Sequence, residues 1–260
     1  MFERFKADIK KYFNYSVISA KAQLRSEVAN SYLNWIWWVL DPMCFMIIYT
    51  FIFGYVFKAE ELYFPVFIFI GLSMWDFFNR TIQTSVKLVK NNKSIVTKVY
   101  MPKFILIFIR LWVNGFKMLI SFGIVALLMV FYQVPLSLNI LYTIPVMFTL
   151  MLFTFGCSTF LLHYGVYVED LYNVVNIALR FLFYLTGIFY NIEHRIPVYG
   201  EWLNNLNPVA FLLTSMRECM MYQQTPNLGI LGVWFGISLL LTILGIRKIY
   251  KNENSYVKMI

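Results

Sequence analysis

Charge is scarce in this chain of 260 residues: Asp, Glu, Lys and Arg make up 13% of it, against about a quarter in soluble domains. Cysteine is scarcer still. Cys44, Cys157 and Cys219 are scattered, mostly inside apolar segments, which excludes a disulfide framework or a zinc-type spacing and makes them small buried hydrophobes. The two histidines, His163 and His194, are isolated and not spaced as metal ligands, so each reads as a buried, satisfied or interfacial side chain. Neither G-x-x-x-x-G-K-[ST] nor G-x-G-x-x-G occurs, so the chain does not bind and hydrolyse a nucleotide by the usual means. No Ser/His/Asp or Cys/His set stands out, and no catalytic, cofactor-binding or metal-binding residue is nominated. The opening residues 1–11 are charged and amphipathic, with no apolar core and cleavage site behind them, so the first span is expected to act as an uncleaved anchor.

What fills the chain instead is apolar surface, 60% of all residues. The run from Met118 to Val168 carries no charge and is broken only by Gln133, Pro135, Ser137 and Asn139. At roughly 20 residues per crossing it is long enough to traverse a bilayer twice. Spans are expected near residues 36–57, 64–87, 104–131, 140–163, 171–191 and 228–247, the third and fourth meeting within this run. The fold class is therefore an all-α integral membrane protein. It has six transmembrane helices, amino-terminal amphipathic interface helices in residues 1–34, and a six-span domain in residues 35–260.

The net charge of +9 lies between the spans rather than on one soluble face, which points to a membrane and away from nucleic acid. One side carries Arg4, Lys6, Lys10, Lys11, Lys21 and Arg25, then Lys87, Lys90, Lys93, Lys98, Lys103 and Arg110, then Arg247, Lys248, Lys251 and Lys258. The other side has only Lys58, Arg195 and Arg217. The positive-inside rule places both termini in the cytoplasm. Phe2, Phe5, Ile9, Tyr12 and Phe13 recur at helical spacing among basic residues, the pattern of a helix lying in the membrane interface. Trp35, Trp37 and Trp38 mark the water boundary of the first span.

Two loops stand out. Residues 91–102 are polar and basic, yet Asn92, Ile95, Val96, Val99 and Tyr100 would give a short helix with a small apolar ridge for a cytoplasmic partner; a solvated linker fits the same residue types. The external segment 191–227 is unusually apolar, and neither half is long enough to span. Two short re-entrant helices fit it better than one helix lying on the surface. Within the spans, Asp76 and Arg80 lie four apart and are expected to pair. Lys117 and Arg180 either line a cavity for an anionic head group or are internally paired or snorkelling. Span five and its exit hold Phe181, Phe183, Tyr184, Phe189 and Tyr190, a cluster suited to stacking on sugar rings as well as to ordinary packing.

Several segments in order resemble the ABC-2 type permeases that export polysaccharides. They are Leu24-Arg25-Ser26, Ser31-Tyr32-Leu33-Asn34 and Trp37-Trp38-Val39-Leu40-Asp41-Pro42, then Gly71-Leu72 with Trp75-Asp76-Phe77-Phe78. Asn91-Asn92 and Val99-Tyr100-Met101-Pro102-Lys103 follow, then Tyr172-Asn173-Val174-Val175-Asn176, Phe183-Tyr184-Leu185, Ile188-Phe189-Tyr190, Leu206-Asn207-Pro208 and Arg217. The likeness runs nearly end to end.

That resemblance implies a permease paired with a second copy, as a homodimer, in the bacterial cytoplasmic membrane. Two copies of a separate cytoplasmic ATPase would carry the ATP and magnesium; this chain would hold no cofactor. Residues 91–102 would be the coupling helix, the amino-terminal helices would clamp the same interface, and the external helices would cap a channel for lipid-linked cell-surface polysaccharide of teichoic-acid, rhamnose or O-antigen type. Arg4, Lys6, Lys10, Lys11 and Arg25 would attract the phosphate head, Arg25 having the alternative of fixing the interface helix. Three positions depart from the family pattern: Asn34 where glycine is usual, Val168-Glu169-Asp170 for the usual Arg-Asp, and Thr186-Gly187 for a common Ser-Pro pair. They imply an altered helix approach, no cationic contact at that inner turn, and a different kink in span five. An exporter of a drug or small lipid, a membrane-embedded glycosyl- or acyltransferase, and a non-transporting scaffold are the competing readings. The transferase would need a clustered polar catalytic set at one membrane face, which is not found here, and co-purification with an ATPase whose activity depends on residues 95–100 separates exporters from the last two.

Overall fold

The computed structural model describes residues 2–29, 31–59 and 61–259; Met1, Asn30, Glu60 and Ile260 lie outside it, as do the side chains of Phe2, Val257 and Lys258. The chain is 81% helical, with no strand among the described residues. The expected amino-terminal segments form one continuous helix, α1 (Phe2–Val28). Its buried residues Ser16, Ala20, Leu24 and Val28 fall four apart, a single stripe of a 3.6-residue period. That stripe lies along the amino-terminal half of a long helix, α6 (Phe104–Phe131), where Phe13 meets Trp112 edge-on at 5.9 Å.

The turn out of α1 passes through Asn34 at φ +50°. Asparagine is one of the few residues besides glycine that tolerates this left-handed backbone. The substitution at Asn34 thus keeps the local conformation that glycine would supply. From there a 3₁₀ turn (Asn34–Ile36), α2 (Trp37–Tyr49, with Pro42 inside it) and a π-helical segment (Thr50–Val56) make one 23-residue span. Only 6% of its most apolar window is buried. Cys44, expected to be buried, is exposed on it, together with Phe45, Ile47, Ile48 and Phe51.

The centre of the molecule is α3 (Phe64–Val86), with 17 of its 23 residues buried. It packs against α2, α6, α7 (Thr143–Tyr167) and α8 (Leu171–Leu185). Buried hydroxyls on it are satisfied within the helix: Ser73, Thr81 and Ser85 each donate to the carbonyl four residues back, at 2.6–2.7 Å. An unsatisfied group in hydrocarbon costs several kcal/mol, so this back-bonding is what makes a polar α3 tolerable. Two single-turn helices, α4 (Leu88–Asn91) and α5 (Lys93–Val96), follow before α6.

Beyond α8 the chain turns through Gly187 at φ +64°, where only glycine is unstrained, so the helix stops there rather than kinking and continuing. Short helices α9 (Ile192–Arg195) and α10 (Gly200–Leu206) lead to α11 (Pro208–Met220), whose Asn207 side chain caps the Val209 and Ala210 amides. Ten of the 13 residues of α11 are buried, against α3, α7 and α10. The last long helix, α12 (Leu228–Lys251), lies along α7, and α13 (Glu253–Met259) folds back beneath them.

Four segments are long and apolar enough to cross a membrane: Asn34–Val56, Phe104–Phe131, Leu138–Tyr167 and Leu228–Lys251. The other two expected spans differ for separate reasons. α3 has the length, about 34 Å at 1.5 Å per residue, but Asp76, Asn79 and Arg80 interrupt its apolar run. α8 has only 15 residues.

Candidate functional site

One face of α3 presents Ser73, Asp76, Arg80 and Gln83, at intervals of three and four that bring them into line. On one side the face is flanked by Trp37, Trp38, Asp41 and Pro42 of α2 with Asn114, Lys117 and Ser121 of α6. On the other it meets Asn176, Leu179, Arg180, Phe183 and Tyr184 of α8. Together they form a crevice with chambers of about 310 and 250 Å³ that share Trp75, Asn79 and Phe183.

Its charges are answered locally. The Arg80 guanidinium donates to Asp76 at 3.2 Å and to Asp41 at 3.4 Å, joining α3 to span one. The Lys117 ammonium lies 2.5 Å from Glu27 of α1, linking the amino-terminal helix to the crevice. Asn114 donates to the Thr81 hydroxyl at 2.9 Å, and the Gln83 amide to Asn176 at 2.5 Å. Ionised groups at membrane depth are costly unless paired or hydrated. Here all but the exposed Arg180 are paired, and each of Asp41, Asp76 and Arg80 still keeps nearly half of its side chain exposed.

At the basic end, a second polar assembly joins α1, the loop before α6, α12 and α13. Glu253 accepts from Arg4 at 2.8 Å and from the Tyr100 hydroxyl at 3.1 Å. Tyr12 donates to the Tyr100 carbonyl, Tyr250 donates to Asp8, and Arg4 lies 4.3 Å above the Tyr250 ring. Burial, then the Glu253 carboxylate, push the Tyr100 phenol up, so it stays a neutral donor. Burial lowers the neighbouring Lys103 ammonium, which is 2% exposed. His163 bonds Tyr256 of α13 at 2.7 Å, the satisfied histidine its isolation suggested.

At the opposite end Arg217 is almost fully buried. It donates to three backbone carbonyls: Phe67 at 3.2 Å, Gly187 at 2.9 Å and Ile188 at 2.8 Å. Its guanidinium lies 3.4 Å from the centre of the Phe67 ring. It clamps α11, α3 and the exit of α8 into one unit. Among the described residues no cluster of three or more His, Cys, Asp or Glu side chains is placed to hold a metal.

Residues 17–221, more than three quarters of the chain, match the ABC-2 type transporter family. The chain belongs to that family. It is 24% identical over 258 residues, 99% of both chains, to two proteins named O-antigen export system permease protein RfbA from Klebsiella pneumoniae. A protein of the same name from Myxococcus xanthus is 23% identical over 229 residues, 86% of each chain.

In this ABC-2 transporter the residues singled out by sequence divide. Lys117 and Arg180 line the crevice, whereas Arg4 is held in the assembly around Glu253, and Lys10 and Arg25 stand exposed on α1. Of the aromatic set, Tyr184 lines the crevice, Phe181 is exposed beside it, and Tyr190 is half-buried with its hydroxyl on the Tyr184 carbonyl. Phe189 departs from the stacking reading: it is 4% exposed and packs in the core, 4.3 Å from Phe53 and 4.9 Å from Tyr49. Phe183 takes the crevice position instead, half-buried and backed by the buried Trp75 at 5.5 Å.

The 91–102 ridge divides as well. Ile95, Val99 and Tyr100 are exposed, Asn92 bonds the Leu88 carbonyl, and Val96 turns inward to a core with Leu88, Val89 and Met101. At the inner turn Glu169, one of the residues that departs from the family pattern, pairs with Lys90 at 3.0 Å. The hydrogen bond from that ammonium, then its charge, hold the Glu169 carboxyl below the ordinary carboxylate range. Sequence reasoning named Arg217 only as an opposite-side charge and a motif position, without its clamp, and passed over Glu253; a lone charge beside apolar residues in a loop was the available signal for the clamp.

Proposed function

We propose that this chain is the permease of an ATP-driven exporter of lipid-linked cell-surface polysaccharide. The observation that carries the reading is the near full-length likeness to permeases named for O-antigen export. The crevice supports it, because amides, hydroxyls and aromatic faces are the groups that hold sugars. The chain sits in the bacterial cytoplasmic membrane with both termini inside, as its basic residues favour. α3 and α8 complete six spans: the charges of α3 are taken up in the crevice, and the buried, non-helical stretch Thr186–Phe189 carries the chain on from the end of α8. α11, too short to cross, dips into the outer leaflet as a re-entrant helix.

Residues 1–34 form the interface domain and 35–260 the transmembrane domain. The exposed residues Ile95, Val99 and Tyr100, with Asn92 shaping their turn, seat the chain on a cytoplasmic ATPase that supplies the ATP and magnesium chemistry. Span one, nearly unburied within one chain, packs against a second copy in a homodimer. Lys10 and Arg25, exposed on α1, attract the phosphate head and Arg180 receives it in the crevice, Lys117 being held by Glu27, while Phe181 and Tyr184 contact sugar.

Depletion of the protein in its host, with lipid-linked glycopolymer located by fractionation and mass spectrometry, tests the reading. Accumulation inside with loss from the surface is the expected result. Normal surface polymer, in a host with no second permease of this kind, would overturn it and leave a drug or small-lipid exporter in front.

A further inference from the structure

The crevice sorts its groups by charge in a way that narrows the cargo, and the inference rests on the export reading above. Three cations line it. Arg80 is held between Asp41 and Asp76, and Lys117 is held by Glu27. Arg180 is exposed and forms no ion pair among the described residues. The Asp41 and Asp76 side chains remain 49% and 46% exposed, so they face whatever enters. Much of the rest of the wall is uncharged: Asn79, Gln83 and Asn176 supply amides, and Phe183 and Tyr184 supply aromatic faces.

We propose that the passage selects a glycan whose repeating units carry no charge, with Arg180 answering the single anionic group at its lipid-linked end. Six ionisable side chains on and behind the wall, Glu27, Asp41, Asp76, Arg80, Lys117 and Arg180, sum to zero at neutral pH. A polymer with a phosphate in every repeat would carry each phosphate past Asp41 and Asp76, where the reduced dielectric strengthens like-charge repulsion. Its own phosphates would compete for Arg80 and Lys117 only by breaking ion pairs already formed. A neutral chain meets no such obstacle. It exchanges hydrogen bonds with amides and hydroxyls and slides over aromatic faces, contacts weak enough to be made and released repeatedly. One unpaired cation per chain suits one phosphate or diphosphate group, not a succession of them.

The test is co-expression of the full chain with the ATPase that co-purifies with it, in two strains that lack their own exporter. One strain makes a lipid-linked neutral glycan and the other a lipid-linked glycerol-phosphate polymer. Surface polymer is measured in both. The expected result is surface display of the neutral glycan with the phosphate polymer retained, and a several-fold rise in phosphate-polymer display for the Asp41→Asn/Asp76→Asn variant. Arg180→Gln should lower neutral-glycan display several-fold with unchanged membrane levels of the complex. Equal display of both polymers by the unaltered chain would overturn the charge selection and leave the export reading standing. Unchanged neutral display with Arg180→Gln would remove the role given to Arg180. Display of neither polymer, with the complex assembled in the membrane, would bring down the export reading and this inference with it.

Discussion

The Glu253 carboxylate reaches the Arg4 guanidinium at 2.8 Å across 249 positions of sequence, and the same oxygen accepts the Tyr100 hydroxyl. Its other oxygen is buried without a partner among the described residues. One atom therefore joins the amino-terminal helix, the loop before α6 and the carboxy-terminal helix. Glu253→Gln should weaken two charge-assisted bonds and cost about 1 kcal/mol, since Arg4 is half exposed. Hydrogen exchange should rise together in α1 and in residues 97–103, with the outer half of the protein unchanged. Protection left intact in both regions would show that the contact holds nothing in place.

The exposed ridge beside that contact makes a separate prediction. Val99 is 55% exposed and contributes little to the core. Val99→Asp should leave folding within about 0.5 kcal/mol while sharply reducing retention of the ATPase in co-purification and abolishing export. Val96→Asp should instead lower the yield of folded protein, because Val96 is buried beside Leu88 and Met101. Unchanged export with Val99→Asp would sink the docking assignment. Tyr100→Asp is the less clean test, because it also breaks the bond to Glu253.

Arg217 replaces a carboxylate partner with three carbonyl oxygens. Arg217→Met would take this donor from three buried neutral carbonyls, at a cost of about 1–3 kcal/mol, the range for a buried polar group that loses its partner. Arg217→Lys should recover only part of this, since one compact ammonium cannot span acceptors on Phe67, Gly187 and Ile188 as the planar fork does. Thermal unfolding in detergent should rank the three proteins Arg, Lys, Met. Equal melting temperatures would mean the clamp contributes no stability.

Arg217 also shows where sequence reading stops. Charge-free runs and the clustering of basic residues are local signals, and they pointed to the helical class, the membrane and four of the six expected spans. The Asp76–Arg80 pair was readable because both partners lie on one helix turn. The third member, Asp41, lies 39 positions away and carries no local mark. Phe189 and Phe181 are the same residue type eight positions apart, yet the turn at Gly187 sends the first into the core and leaves the second on the surface. α3 was read as one span among six. That it is the helix the others surround depends on its neighbours, which periodicity cannot report.

The meeting of α3 and α7 gives the last prediction. A methyl group built on Gly165 would overlap the Val86 carbonyl, a backbone atom that cannot rotate away. Close helix approach in a membrane rests on such small residues, because lipid provides no hydrophobic drive between helices and packing must do so. Gly165→Ala should therefore push α7 from the end of α3 and destabilise the protein by about 1–3 kcal/mol. It should also move Glu169 away from Lys90, only a few residues further on. Gly123→Ala on α6, where the added methyl meets nothing within 4 Å, is the matched control. Melting in detergent should fall for the first and not for the second. A cysteine pair at positions 90 and 169 should crosslink less readily in the Gly165→Ala background. If crosslinking is unchanged while stability falls, the strain is absorbed within α7 and the inner turn is independent of this contact.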